Sequence, residues 1–192
     1  MRRLLLASMG VFALMGALGL SSCAGGGGQM SVAHRQTLKS DARIVVLPVS
    51  VPKTIKEAQG QGTLFASLYA TELLRSYSVL EWERFERTLQ QRNLAVDSLL
   101  AGAGETLAHD LGVDGLLLSE VYDWKPGTPG FWILAKSGRV GFQARLIDVA
   151  SGSVLWSVNR VGETEPSDTL PVGLTRVFHE LADEMPRELT PN

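Results

Sequence analysis

Several residue groups in this sequence invite a chemical reading. His179-Glu180-Leu181-Ala182-Asp183 is close to the H-E-x-x-H pattern, in which two histidines four apart on one helix face hold zinc and the glutamate polarises a water. Asp183 stands where the second histidine belongs, no third ligand is evident, and His179 flanks an apolar stripe, so no metal site is expected. Gly60-Gln61-Gly62 and Gly102-Ala103-Gly104 could be taken for phosphate cradles, but each lacks the third glycine or the G-K-[ST] that phosphate binding needs. Both read as turns. A serine triad would have to draw on His34, His109 or His179. His34 lies in a polar N-terminal stretch, and His109, beside Asp110, falls at a helix end where a histidine is favourable to the dipole. The expectation is no catalytic residue, no cofactor, no metal and no enzyme.

One residue does have surroundings that specify chemistry. Arg2 and Arg3 precede an apolar run from Leu4 to Leu20, which ends in Leu20-Ser21-Ser22-Cys23. A basic segment followed by a hydrophobic one is the layout of an export signal. Its end resembles the lipobox of bacterial lipoproteins, where small residues fit the signal peptidase and the cysteine sulfur accepts a diacylglycerol. Cys23 is the single cysteine of the chain. The competing reading is an uncleaved anchor, which needs about 20 predominantly apolar residues; this run is shorter and broken by Gly10, Gly16 and Gly19. The resemblance implies a Cys23 bearing two thioether-linked chains and usually a third on its amine. At about 0.8 kcal/mol per buried methylene, two or three chains hold a protein on a bilayer where one does not. Ala24, rather than aspartate, follows the cysteine, which implies transfer to the outer membrane with the domain facing the periplasm.

Removing residues 1–22 takes Arg2 and Arg3 away and leaves 170 of the 192 residues, with 16 basic against 20 acidic side chains and a formal charge of −4. That length suggests one domain. The acidic balance lacks the dense basic patch of a nucleic-acid binder. With Cys23 lipidated, no thiol is left for disulfides, so stability must come from the core. In residues 23–42, Gly25-Gly26-Gly27-Gly28 follow Cys23 and Ala24, and the stretch continues polar to Ser40. They read as a flexible tether with an r.m.s. reach of about 20–25 Å.

The elements that follow occupy residues 43–187, with 188–192 a short tail. Arg43 to Val49 reads as a buried strand, and a helix fits 64–75, where Leu64, Leu68 and Thr71 fall at helical spacing. A short strand at 78–82 runs into a helix over 83–93, and a further helix, 105–111, stops at Gly112. Residues 113–124 form a strand too continuously apolar to be half exposed, which places it centrally. Val140, Phe142, Ala144 and Leu146 alternate with polar or small residues, as do Val154, Trp156 and Val158, with a tight turn at Asp148–Gly152 between them. A closing helix spans about 170–184, its stripe made by Leu174, Val177, Phe178, Leu181 and Met185. The sum is an α/β fold: a mixed β-sheet with helices packed on it and a late antiparallel hairpin.

Ile44-Val45-Val46-Leu47-Pro48, Val79 to Arg84, Leu111-Gly112-Val113-Asp114-Gly115 and Ala144 to Trp156 come in the order found in one group of envelope proteins. The sequence resembles the superfamily of the curli-secretion lipoprotein CsgG, the penicillin-binding-protein activator LpoB, the N-terminal domain of TolB and small neisserial-type lipoproteins. Arg145 to Gly152 matches its "R-hydrophobic-hydrophobic-D-x-x-[TS]-G" pattern, and Gly112-Val113-Asp114 its "G-[AV]-D". Both have structural explanations: Asp148 can accept amide hydrogen bonds within the turn and Gly152 can supply its positive φ, while Gly112 and Asp114 read as a helix stop and a strand entry.

The resemblance implies an accessory lipoprotein that binds another envelope protein, whose identity the sequence does not give. A secretion-ring subunit is the alternative, but a barrel needs strands of about 9–11 residues from each subunit. Residues 125–138, with Pro126 and Pro129, are too short for two such hairpins, while homo-oligomer formation through the domain stays open. An envelope hydrolase lacks its constellation. Within that loop, Phe131-Trp132-Ile133-Leu134 is an apolar island with two readings. Either it is a partner contact, anchored by Trp124 and Trp132, or it is an added strand or a cover over the core.

Overall fold

The computed structural model describes residues 29–30, 38, 42–130 and 135–189. In chain order, its strands are β1 (Gln29–Met30), β2 (Arg43–Val46), β3 (Ser78–Leu80), β4 (Gly115–Lys125), β5 (Gly138–Asp148) and β6 (Val154–Thr164). The α-helices are α1 (Gly62–Leu73), α2 (Trp82–Gln91), α3 (Val96–Leu100), α4 (Glu105–Leu111) and α5 (Leu170–Leu189). The sheet runs β1-β6-β5-β4-β2-β3. It is mixed: β2 pairs parallel with β3 and β4, while β4–β5 and β5–β6 are antiparallel. β4 is central, as its unbroken apolar start requires.

Alternation divides the core in two. Ile44 and Val46 of β2, Leu117 of β4, and Val140, Phe142, Ala144 and Leu146 of β5 face α1 and α5. Tyr69 of α1 stacks on Phe178 of α5 (centroids 4.6 Å apart, planes 9° apart), and Phe142 meets both rings edge-on. Three elements are thereby tied by aromatic contacts, each of about 0.5–1.5 kcal/mol beyond simple burial. On the opposite face, Val45 and Leu116 pack with Phe85, Leu89, Leu99 and Leu111 from α2, α3 and α4. None of the buried residues in this second layer comes from β5 or β6.

Several details differ from the sequence expectations. Helix α1 buries Phe65, Ala66, Tyr69 and Leu73, not the line through Leu64, which is 50% exposed. The aromatic i, i+4, i+8 stripe carries more apolar area, and it decides the facing. Helix α3 was not foreseen, since five residues are too few to show a period. Gln29 and Met30, within the stretch read as tether, pair antiparallel with Asn159 and Val158.

The β5–β6 turn follows its sequence reading. The Ser151 N–H donates to Asp148 Oδ2 (2.8 Å), the Gly152 N–H to the Asp148 carbonyl (2.8 Å), and Gly152 has φ +72°. Asp114 accepts the Arg43 N–H (2.8 Å), which joins the entries of β2 and β4.

Candidate functional site

On the side of the sheet away from α1 and α5, β4, β5 and β6 carry a polar surface. The β4–β5 register shifts between Val121 and Asp123. This bulge puts Tyr122 on the same side as Asp123, because the extra residue breaks the alternation. The Tyr122 ring lies across β5 at Gly141, where a Cβ would sit 2.5 Å from Cε2 and 2.8 Å from Cζ. Only a residue without a side chain lets the ring lie flat there. The Tyr122 hydroxyl then reaches the third strand and donates to Asn159 Oδ1 at 2.6 Å.

Two more links hold this surface. Gln143 Nε2 donates to Glu120 Oε2 (2.7 Å). Arg139 contacts Asp123 Oδ2 through Nε (2.7 Å) and Nη2 (2.6 Å). A hollow of ≈ 140 Å³ adjoins them, lined by Ser50, Leu118, Glu120, Gln143 and Arg145 among others. Burial raises the Tyr122 phenol above its ordinary pKa; the Asp123 charge adds to this and Arg139 opposes it. The hydroxyl thus stays a neutral donor. Side chains already fixed by cross-strand bonds lose little entropy when something binds over them. The surface is partly exposed and rich in paired donors and acceptors.

Two other charged clusters tie α5 to β6 and to α1. Arg160 crosses to α5, with Nη2 2.7 and 2.5 Å from the Glu184 oxygens and Nη1 3.1 Å from Glu180. Burial pulls the guanidinium pKa down, but the bonds and charges of Glu184 and Glu180 outweigh it, and the net shift is upward. His179 Nδ1 lies 3.0 Å from Glu72 Oε2 and 2.9 Å from Arg75 Nη1, linking α5 to α1, while Asp183 is exposed. Among the described residues, no group of three or more His, Cys, Asp and Glu is placed to hold a metal.

The glycine pairs use their amides internally. Ala103 and Gly104 donate to the Val149 and Ala150 carbonyls (2.8 and 2.9 Å), and Gly62 accepts from the Val49 N–H (3.0 Å). His109 is solvated at its helix end, with Nδ1 3.9 Å from Asp110 Oδ1. Of the residues singled out from the sequence, Trp124 is half-buried and packs on the α1/α5 core. Its Cζ3 lies 3.5 Å from where a Cβ on Gly173 would be. Cys23, Phe131, Trp132, Ile133 and Leu134 lie outside the described residues. The loop base is a short bridge, with Thr128 and Lys136 exchanging backbone hydrogen bonds of 2.8 and 2.9 Å. The Tyr122 surface was not foreseen, although Gly141, alone inside an alternating strand, is a known signal of a bulge or close approach. No helix among the described residues is long and apolar enough to cross a membrane.

No protein-family model matches the chain, and no curated protein matches it significantly. Solved structures do. A PelC dodecamer from Paraburkholderia phytofirmans matches at 17% identity over 86% of this chain and 99% of that one, with a TM-score of 0.51. The hypothetical protein CT253 from Chlamydia trachomatis matches at 15% identity over 79% and 99%, TM-score 0.52. Lipoprotein GNA1162 from Neisseria meningitidis matches at 22% identity over 76% and 99%, TM-score 0.48. At such identities the likeness to the first two is one of fold: the α/β architecture with a mixed sheet is shared.

Proposed function

We propose that this chain is a lipid-anchored accessory protein of the bacterial envelope, held at the outer membrane through Cys23, whose periplasmic domain binds another envelope protein and catalyses nothing. The observation that carries the reading is the Tyr122 surface: three cross-strand links, Tyr122–Asn159, Gln143–Glu120 and Arg139–Asp123, fix a polar display. The LpoB-like role implied by the sequence pattern agrees with it. The test is photo-crosslinking in intact cells, with a benzophenone amino acid at Arg145 on the surface and, as control, at Thr63 on α1. The reading expects a discrete adduct with a different envelope protein from position 145 and none from 63. Equal yields from both positions, or none from 145, would sink it.

A second reading is favoured by one specific observation. The fold matches the subunit of a PelC dodecamer across 99% of that chain, so self-assembly into a ring is a competing use of the same domain. Under it, position 145 crosslinks to another copy of this chain, and native mass spectrometry of the detergent-extracted protein shows one closed homomeric species.

A further inference from the structure

Strand β1 has two residues, yet its position changes how the domain hangs from a membrane. Gln29 and Met30 pair with β6, at the far edge of the sheet from β3. Gln29 comes six residues after Cys23, whereas the first strand of the domain proper, β2, starts at Arg43, twenty residues after it. For a chain of glycine-rich composition, six residues have an r.m.s. span of about 13 Å and an extended limit of about 20–22 Å, and twenty have an r.m.s. span of about 25 Å. Pairing with β6 therefore shortens the free leash by about half. It also moves the attachment point from β2, inside the sheet, to an edge. Leu38 packs against the α1/α5 core and gives the segment between β1 and β2 a second hold.

The sheet from β6 to β3 spans four strand spacings, about 19 Å. The r.m.s. leash is shorter than the sheet is wide, so the two edges cannot sit equally far from the lipid on average. We infer that β1 is an orientation clasp: it makes the β6 edge the side of the domain that faces the lipid surface and carries β3 and α2 furthest from it. This rests on the lipidation of Cys23 proposed above.

The test uses the full chain, matured and extracted from membranes, then reconstituted in phosphatidylcholine vesicles with a few percent of headgroup-nitroxide lipid. A fluorophore is attached by maleimide at Ser157→Cys on β6 or at Ser78→Cys on β3. The sulfur of a lipidated Cys23 is a thioether and takes no label, so one dye per chain is expected. Nitroxide quenching acts only at short range, and the Ser157 label should be quenched at least about threefold more than the Ser78 label. Gln29→Pro/Met30→Pro, which removes the backbone donors of β1, should bring the two to within experimental scatter. Equal quenching in the unmodified clasp, or a difference that survives the two prolines, overturns the clasp while leaving the anchor standing. Two dyes per chain, or protein that does not stay with the vesicles, overturns the lipid anchor and the clasp with it.

Discussion

Gly141→Ala tests the geometry of the Tyr122 surface through a coupling that simple packing would not produce. The added Cβ would sit 2.5 Å from Tyr122 Cε2, 2.8 Å from Cζ and 3.0 Å from Asp123 Cβ. The ring end can swing away, so the strand survives, but the hydroxyl then leaves Asn159. The lost hydrogen bond costs about 0.5–1.5 kcal/mol, and disturbed packing raises the total to about 1–2 kcal/mol. With Tyr122→Ala already present the ring is gone and of the three close atoms only Asp123 Cβ, 3.0 Å away, remains. The preference for alanine over glycine in a strand interior, roughly 0.5–1 kcal/mol, then offsets that contact, and the cost falls to near zero. The cycle should give a coupling energy of about 1–2 kcal/mol, above the scatter expected of independent sites. Urea unfolding of the mature chain carrying Cys23→Ser, followed by far-ultraviolet circular dichroism, measures all four corners. If Gly141→Ala costs the same with and without the Tyr122 ring, the ring does not lie where the reasoning needs it.

Tyr69 is fully buried, and its hydroxyl has no hydrogen-bond partner among the described residues. Tyr69→Phe should therefore stabilise the domain at neutral pH by about 1 kcal/mol, since an unsatisfied buried hydroxyl is removed; a loss of stability in urea unfolding would show a missed partner. Burial pushes the Tyr77 phenol up to about 12 and raises Tyr69 further, with the Tyr77 and Glu184 charges adding to the latter. Both phenols stay protonated in the folded chain when the unfolded chain ionises near pH 10. Stability should hold below pH 10 and fall above it, through pH 12 for Tyr77 and beyond for Tyr69. The slope is at most about 1.4 kcal/mol per pH unit for each tyrosine, and less for the partly exposed Tyr77. Tyr69→Phe should flatten this slope, and an unchanged slope between pH 10 and 12 would contradict the assignment. Gly152→Ala forces a side chain onto φ +72° with its Cβ 2.8 Å from the backbone of Ala101 and Gly102. A cost of at least about 2 kcal/mol is expected, read as a fall in Tm of roughly 4–8 °C.

The fold was largely legible because its elements carry strong periods. The alternation of Val140 to Leu146 set the hairpin's inner face, and the Leu174 to Met185 stripe set the docking side of α5; on β6 the alternation held for Trp156 and Val158 but not for Val154, because the register shifts between Leu146 and Ile147 and Leu155 enters the core instead. Asp148 and Gly152 could be assigned to their turn because their chemistry is local, whereas the bond of Asp114 to the Arg43 N–H joins distant parts of the chain and depends on the assembled sheet. The facing of α1 was misread because leucines at helical spacing were weighted above Phe65, Tyr69 and Leu73, which pack on Phe178 and its neighbours. The clasp of β1 was invisible for a different reason: two polar-to-apolar residues have no period, and their pairing depends on an edge supplied by β6, more than 120 residues later. The same holds for the surface. Tyr122, Gly141 and Asn159 come from three strands, and their meeting depends on the β4–β5 and β5–β6 registers, which only the assembled sheet fixes. Gly141 alone announced that something lay close.

The most direct test of the account is intact and peptide mass spectrometry of the protein extracted from the outer-membrane fraction of cells that make it naturally. The account predicts a mature chain that begins at Cys23, with a diacylglyceryl thioether and an acyl chain on the amine, and that is lost from the membrane when Cys23→Ser is made. A chain that still begins at Met1, or a mature chain with an unmodified Cys23, would contradict it.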